Sequence, residues 1–152
     1  MTMAQLTVNL NVNGDGCTVQ VEPQTTLLGV LRDQLGYNGV KAGCEEGDCG
    51  ACAVLIDGKP VTSCLVLTAS AEGKKIMTIE GLADGWELHP IQQAFVDNHG
   101  MQCGYCTPGA IIAAKGLLDE NPKPSEGEVR QALSDNLCRC GSYAKMVKSV
   151  LA

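Results

Sequence analysis

The chain has 152 residues, 45% of them hydrophobic but only 3% aromatic, which allows one ordinary domain or two small ones with cores of Val, Leu, Ile, Ala and Met. Its formal charge of −6, with no basic run and no aromatics interleaved with Lys or Arg, argues against nucleic acid as a partner, because nothing would neutralise phosphate. No apolar run approaches the roughly 18 residues of a membrane span, and MTMAQLTVNL lacks the charged and apolar regions of a secretory signal, so a cytoplasmic protein without a membrane span is expected.

In chain order, Leu6, Val8, Leu10 and Val12 alternate with polar residues as a half-buried strand, and Cys17, Val19 and Val21 resume the alternation after the turn NGDG. This is a hairpin. Thr25 or Thr26 can then cap a helix whose Leu27, Leu28, Leu31 and Leu35 form one stripe, ended by Gly36. The segment VKAGCEEGDCGAC, residues 40–52, is too polar and glycine-rich for a strand or core helix. Strands are expected at 51–58 and 75–81, with a short helical stretch at 65–71 between them. Together these elements predict an α+β module over residues 1–82.

Residues 83–88, ADGWEL, read as a linker, with Trp86 as a packing anchor between two domains. Beyond it every pattern is helical. Ile91, Ala94 and Phe95 mark one helix, and Ile111, Ile112 and Leu117 mark another, opened by Thr107 as N-cap and Pro108 at the first position. Ser125 and Glu128 form a capping box for a third, and Ser142 can cap a fourth carrying Met146, Val147 and Val150. The prediction for 89–152 is an antiparallel four-helix bundle.

Nine cysteines, an odd number with no export signal, argue for metal ligation over a disulfide framework. Cys44, Cys49 and Cys52, with Cys64 further on, have the C-x4-C-x2-C spacing of plant-type [2Fe–2S] loops. The intervening glycines let the backbone wrap closely and turn its N–H groups toward sulfur. Structural zinc more often takes separated C-x2-C pairs. Cys103 and Cys106, with Cys138 and Cys140, form a second set of four, for which a zinc knuckle stays open on spacing alone. Both of its loops run into helix N-termini, whose positive ends favour thiolate. Cys17 reads as a small buried hydrophobe, and His89 and His99 as surface residues without ligand partners at the right spacing. No nucleophile–base pair and no phosphate loop is visible. The chain has the wiring for electrons and no site for a substrate.

The order of these motifs, GCEEGDCGAC followed by QCGYCTPG and NLCRCG, resembles the small iron–sulfur subunit of xanthine-oxidase-type molybdenum hydroxylases over the whole chain. The resemblance implies a β-grasp, ferredoxin-like domain followed by a four-helix bundle, each holding one [2Fe–2S] cluster. It implies a large partner subunit that carries a molybdopterin cofactor and performs the catalysis. Cys103, Cys106, Cys138 and Cys140 would then hold the cluster nearer molybdenum, and Cys44, Cys49, Cys52 and Cys64 the outer one. Gln102 matches the glutamine that hydrogen-bonds the pterin, and Cys140 the ligand close to it; read from the residues alone, Gln102 is a polar loop residue. Electrons would leave to a medium FAD subunit or another acceptor. The stretch from Cys138 to Tyr143 reads CRCGSY, where many flavin-linked relatives read CRCTGY, and is similar to the isoquinoline oxidoreductase branch that lacks a flavin subunit, whereas GCEEGDCGAC and CGYCTPG resemble the flavin-linked members. The alternative reading is a freestanding two-cluster, ferredoxin-like carrier.

Overall fold

The computed structural model describes residues 4–152. Strands β1 (Leu6–Val12) and β2 (Asp15–Val21) pair antiparallel as the expected hairpin. Asn13 and Gly14 at its turn both have positive φ, the two-residue geometry that matches strand twist. Val8, Leu10, Val12, Val19 and Val21 all point into one core.

The predicted first helix is realised differently. Helix α1 (Leu27–Gly29), capped by the Thr26 hydroxyl accepting from the Gly29 N–H, passes at once into a π-helical turn over Val30–Gln34. The Leu35 N–H donates to the Val30 carbonyl, five residues back. The widened turn still buries Leu27, Leu28 and Leu31, so the apolar stripe alone could not reveal it.

The strand expected at 51–58 is β3 (Ala53–Ile56), and the sequence reading missed its partner β4 (Lys59–Thr62). Pro60 explains the miss. A proline cannot donate in a ladder, but β4 is the outermost strand of a sheet ordered β2-β1-β5-β3-β4, where no partner waits for that N–H. The predicted helix at 65–71 is two 3-10 turns, Ser63–Leu65 and Thr68–Ala71. Strand β5 (Lys75–Met77) is shorter than expected; it pairs parallel to β1 and antiparallel to β3, making a mixed sheet.

Four helices follow: α2 (Pro90–Asp97), α3 (Thr107–Glu120), α4 (Glu126–Ala132) and α5 (Tyr143–Leu151). Their core gathers Phe95, Ile112, Val129 and Met146. The α+β fold with a helical second half is thus the one expected. Strand β3 serves both halves. Val54 faces the core of the first, while Ala53 and Leu55, pointing the other way, belong to the core of the helices. Trp86 makes no such link; it is fully exposed at 102% of its reference area, which corrects its reading as an anchor.

His89 is more than a surface residue. Half-buried, it opens α2: Nδ1 accepts from the Ile91 N–H at 3.2 Å, while the Gln92 side chain accepts from the His89 N–H at 2.9 Å. Burial, then the Lys115 cation, holds its pKa below the ordinary value against an opposing pull from Asp119. A base with a depressed folded pKa contributes its stability fully above the unfolded value of about 6.5 and loses it as pH falls toward the folded one. His89→Asn keeps a capping acceptor without the titration. Denaturant unfolding at several pH values should therefore show wild type losing stability relative to this variant between about pH 7 and pH 5. Parallel curves would show that the imidazole does not titrate in the cap.

Candidate metal centres

The first set of thiols lies on the loop between the π-helical turn and β3, plus the 3-10 turn at Ser63–Leu65. Cys44 and Cys49 are half-buried, and Cys52 and Cys64 are buried. The loop turns its amides on its own sulfurs: the Glu46 and Cys49 N–H groups each donate to Cys44 Sγ at 3.4 Å, and the Cys44 N–H donates to Cys49 Sγ at 3.3 Å. The Glu46 N–H, then that of Cys49, draws the Cys44 thiol down to about 7. Burial, then the neighbouring Cys52 thiol, pushes Cys64 up to about 11. Gly43 has a steric reason: a Cβ there would sit 2.5 Å from Cys49 Sγ. Gly50, at φ +67°, combines left-handed backbone with close approach to Asp135 and Asn136 of the other half.

The second set spans two loops at the start of α3 and α5. Cys106 and Cys138 are buried, and Cys103 and Cys140 exposed. The Tyr105 N–H, then the Cys140 thiol, lowers Cys103. Burial, then the Cys138 thiol, pushes Cys106 up to about 12. For Cys138, burial pushes upward but is outweighed by the Ser142 N–H and the Cys106 thiol, so this buried cysteine is also lowered. The cap of α3 differs from expectation: Cys106 holds the N-cap position, and Thr107 stands one residue inside with its hydroxyl buried and unpartnered. Gln102 is exposed, and its Nε2 donates to the Cys140 carbonyl at 3.2 Å, so the two residues assigned to the pterin are adjacent.

In each set the larger mutual influences pair Cys44 with Cys49 and Cys52 with Cys64, then Cys103 with Cys140 and Cys106 with Cys138, with smaller ones from Cys44 on Cys64, Cys138 on Cys103 and Cys103 on Cys106. Among the described residues, no three His, Cys, Asp or Glu side chains are arranged to hold one metal ion. Two thiols per metal, with backbone N–H groups directed at the sulfurs, suit a two-iron cluster better than a tetrahedral zinc. A [2Fe–2S] cluster therefore fits each donor set.

Three contacts, which the sequence reading missed, stitch the two loop systems together. The Leu137 N–H donates to the Cys49 carbonyl at 3.0 Å, the buried Asn136 Nδ2 donates to the Gly50 carbonyl at 3.1 Å, and the Tyr105 hydroxyl donates to the Ala42 carbonyl. Lys41 lies over the Tyr105 ring, 6.0 Å from its centre. One hydrogen bond thus joins Cys49 directly to the residue before Cys138. Asn136 offered one signal, its place two residues before Cys138, but nothing in a sequence marks which asparagine of a loop will be buried.

Comparison with known proteins matches residues 10–81 to a 2Fe-2S iron-sulfur cluster binding domain and residues 78–151 to a [2Fe-2S] binding domain. The chain is 46% identical over 148 residues to the nicotinate dehydrogenase small FeS subunit of Eubacterium barkeri, covering 97% of this chain and 94% of that one. It is 46% identical over 145 residues to the aldehyde oxidoreductase of Megalodesulfovibrio gigas, covering 93% of this chain but 16% of that much longer one. The crystal structure of quinoline 2-oxidoreductase from Pseudomonas putida 86 superposes with a TM-score of 0.94 at 43% identity, over 97% of this chain and 91% of the matched one.

Proposed function

The chain belongs to the family of small iron–sulfur subunits of molybdenum hydroxylases, and from that membership we infer that its two four-thiol sets are successive stations of one electron relay. It is a non-catalytic, electron-transfer subunit of an oxidoreductase; relatives named as subunits of larger enzymes disfavour the freestanding carrier. Relatives named for nicotinate and for aldehydes match it at the same 46% identity, as expected of a chain that carries electrons and never meets substrate. Among the described residues, no helix is long and apolar enough to cross a membrane, and a reducing, cytoplasmic location suits nine free cysteines.

When bound, [2Fe–2S] clusters accept and release single electrons. Cys44, Cys49, Cys52 and Cys64 would hold one in the unit over 1–82, and Cys103, Cys106, Cys138 and Cys140 the other in the unit over 89–152, with 83–88 as connector. The observation that carries the relay is the bond from the Leu137 N–H to the Cys49 carbonyl, which joins the two ligand sets. The chain's own work is to hold the sulfurs, donate N–H groups to them and fix the loops against each other. The bundle faces the large molybdenum subunit, because exposed Gln102 and Cys140 stand together there, and an amide offers both donor and acceptor to a pterin edge. The ferredoxin-like unit then faces the acceptor, either an FAD subunit or another carrier.

Analysis of the purified complex for iron and acid-labile sulfide tests the ligand assignment; about four of each per chain are expected, and zinc in place of iron would overturn it. Gln102→Ala tests the direction. It leaves all eight ligands in place, so substrate-driven reduction of the clusters should slow about tenfold or more, comparable to other losses next to a metal ligand. Dithionite reduction should be unchanged. Equal substrate-driven rates would make Gln102 a loop residue only.

A further inference from the structure

Ser142 stands at the N-cap of α5, where a serine ordinarily accepts a hydrogen bond from the first turn. Here its side chain makes no capping bond. The residue is 3% exposed, and its hydroxyl is buried without a hydrogen-bond partner. A buried hydroxyl normally finds a partner, so an orphan one points to a group still to be supplied.

The surroundings identify that group. The Ser142 N–H donates to Cys138 Sγ at 3.4 Å, placing the residue against a sulfur of the bundle set. The Cys138 N–H in turn donates to the Tyr143 hydroxyl at 2.7 Å, and the Met146 N–H donates to the Ser142 carbonyl at 2.9 Å, so both ends of the contact are fixed. The main chain of Ser142 is thus held against the Cys138 sulfur, while the hydroxyl of the same residue makes no hydrogen bond. Thr107 is the other orphan hydroxyl among the described residues, but its N–H donates to the Gly104 carbonyl and not to a sulfur, and the inference does not extend to it.

Resting on the ligand assignment above, we propose that Ser142 Oγ–H donates a hydrogen bond to the sulfur of Cys138 once the bundle cluster is bound, and so sets that cluster's reduction potential. The reduced cluster carries one more negative charge, shared with its ligand sulfurs. A donor to sulfur therefore stabilises the reduced form more than the oxidised form and raises the potential. Nothing is consumed: the proton stays on the serine oxygen, and the electron comes from the complex's own reaction. Among the described residues, the hydrogen-bond donors to the sulfurs of the first set are main-chain N–H groups. A side-chain donor on the bundle set alone separates the potentials of the two stations by a means that evolution or design can change without touching a ligand.

The test is a redox titration of the cluster-loaded complex, followed by EPR. In Ser142→Ala the bundle cluster should become about tenfold harder to reduce, a fall of about 59 mV for one electron. The midpoint of the other cluster should stay where it is, and Ser142→Thr, which keeps a hydroxyl, should remain near wild type. An unshifted bundle midpoint in a fully loaded Ser142→Ala complex overturns the proposal. So does an equal shift of both clusters, or a threonine variant that behaves like alanine. Should Ser142→Ala not retain the cluster, the wild-type complex decides. After minutes in D2O its reduced bundle cluster should lose one proton coupling, because a hydroxyl exchanges far faster than a buried amide; no loss overturns the proposal. A wild-type complex with no bundle cluster signal would instead refute the ligand assignment, a separate outcome.

Discussion

Cys49→Ser is expected to halve the metal content, from about four iron and four sulfide per chain to about two of each, removing one EPR signal and leaving the other. Cys49 contributes to the two halves through different atoms. Its sulfur belongs to the first set, where it accepts from the Cys44 N–H, while its carbonyl accepts from the Leu137 N–H at the edge of the second. Serine removes only the sulfur. The brace on the bundle loop stays, so the cluster of Cys103, Cys106, Cys138 and Cys140 should survive and still be reduced by substrate. Delivery to the external acceptor should stop, because the outer station is gone. Loss of both signals from a folded complex would show that the two sites cannot be loaded independently. Uninterrupted delivery would mean that the first set's cluster is not on the route to the acceptor, and a bundle cluster that substrate can no longer reduce would mean that the order of the relay is reversed.

Gly109→Ala should destabilise the chain by about 3 kcal/mol, at the upper end for forcing a methyl into packed space. The direction is opposite to what helix propensity predicts, since Ala exceeds Gly by about 1 kcal/mol inside a helix. Gly109 lies in the first turn of α3, and a Cβ there would overlap the carbonyl oxygen of Gly50, with the Asn136 amide also in reach. That carbonyl is main chain and already accepts from Asn136, so it cannot rotate away as a side chain would. Gly127→Ala is the control. Gly127 is exposed in α4, and a Cβ there meets only Ser125 Oγ, at 3.9 Å. In thermal scans at one fixed rate, Gly109→Ala should melt roughly 6–12 °C below wild type and Gly127→Ala slightly above it. A Gly109→Ala protein as stable as wild type would show that the two loop systems part easily.

The parts of this molecule that were readable in advance are those whose cause is local. Cys44, Cys49 and Cys52 stood out by a two-iron loop spacing, whereas the spacing of Cys103, Cys106, Cys138 and Cys140 alone left a zinc knuckle open. The first hairpin was readable because Asn13 and Gly14 sit between two alternating runs, and α4 because Ser125 and Glu128 form their capping box as expected. Where a longer-range cause decides, the pattern misleads. Pro60 argues against a strand until its place on the sheet edge is known. Thr107 looks like a cap because it precedes a proline, yet the helix begins with it. The continuous apolar run at Ala53, Val54 and Leu55 could not reveal that its two faces serve different cores. Asn136 and Tyr105 do their work through partners 86 and 63 residues away, a distance over which no pattern of neighbours reports.

That separation also orders events during synthesis. The Gly50 carbonyl waits for Asn136, 86 residues later in the chain. At ordinary translation speeds of about 5–20 residues per second, the ribosome needs roughly 4–17 s to make that partner. Once Cys64 has been made, all four cysteines of the first set are present for most of this interval, while the asparagine that will close over them does not yet exist. An iron–sulfur donor arriving then meets an open mouth; one arriving after the chain is released meets a lid already latched.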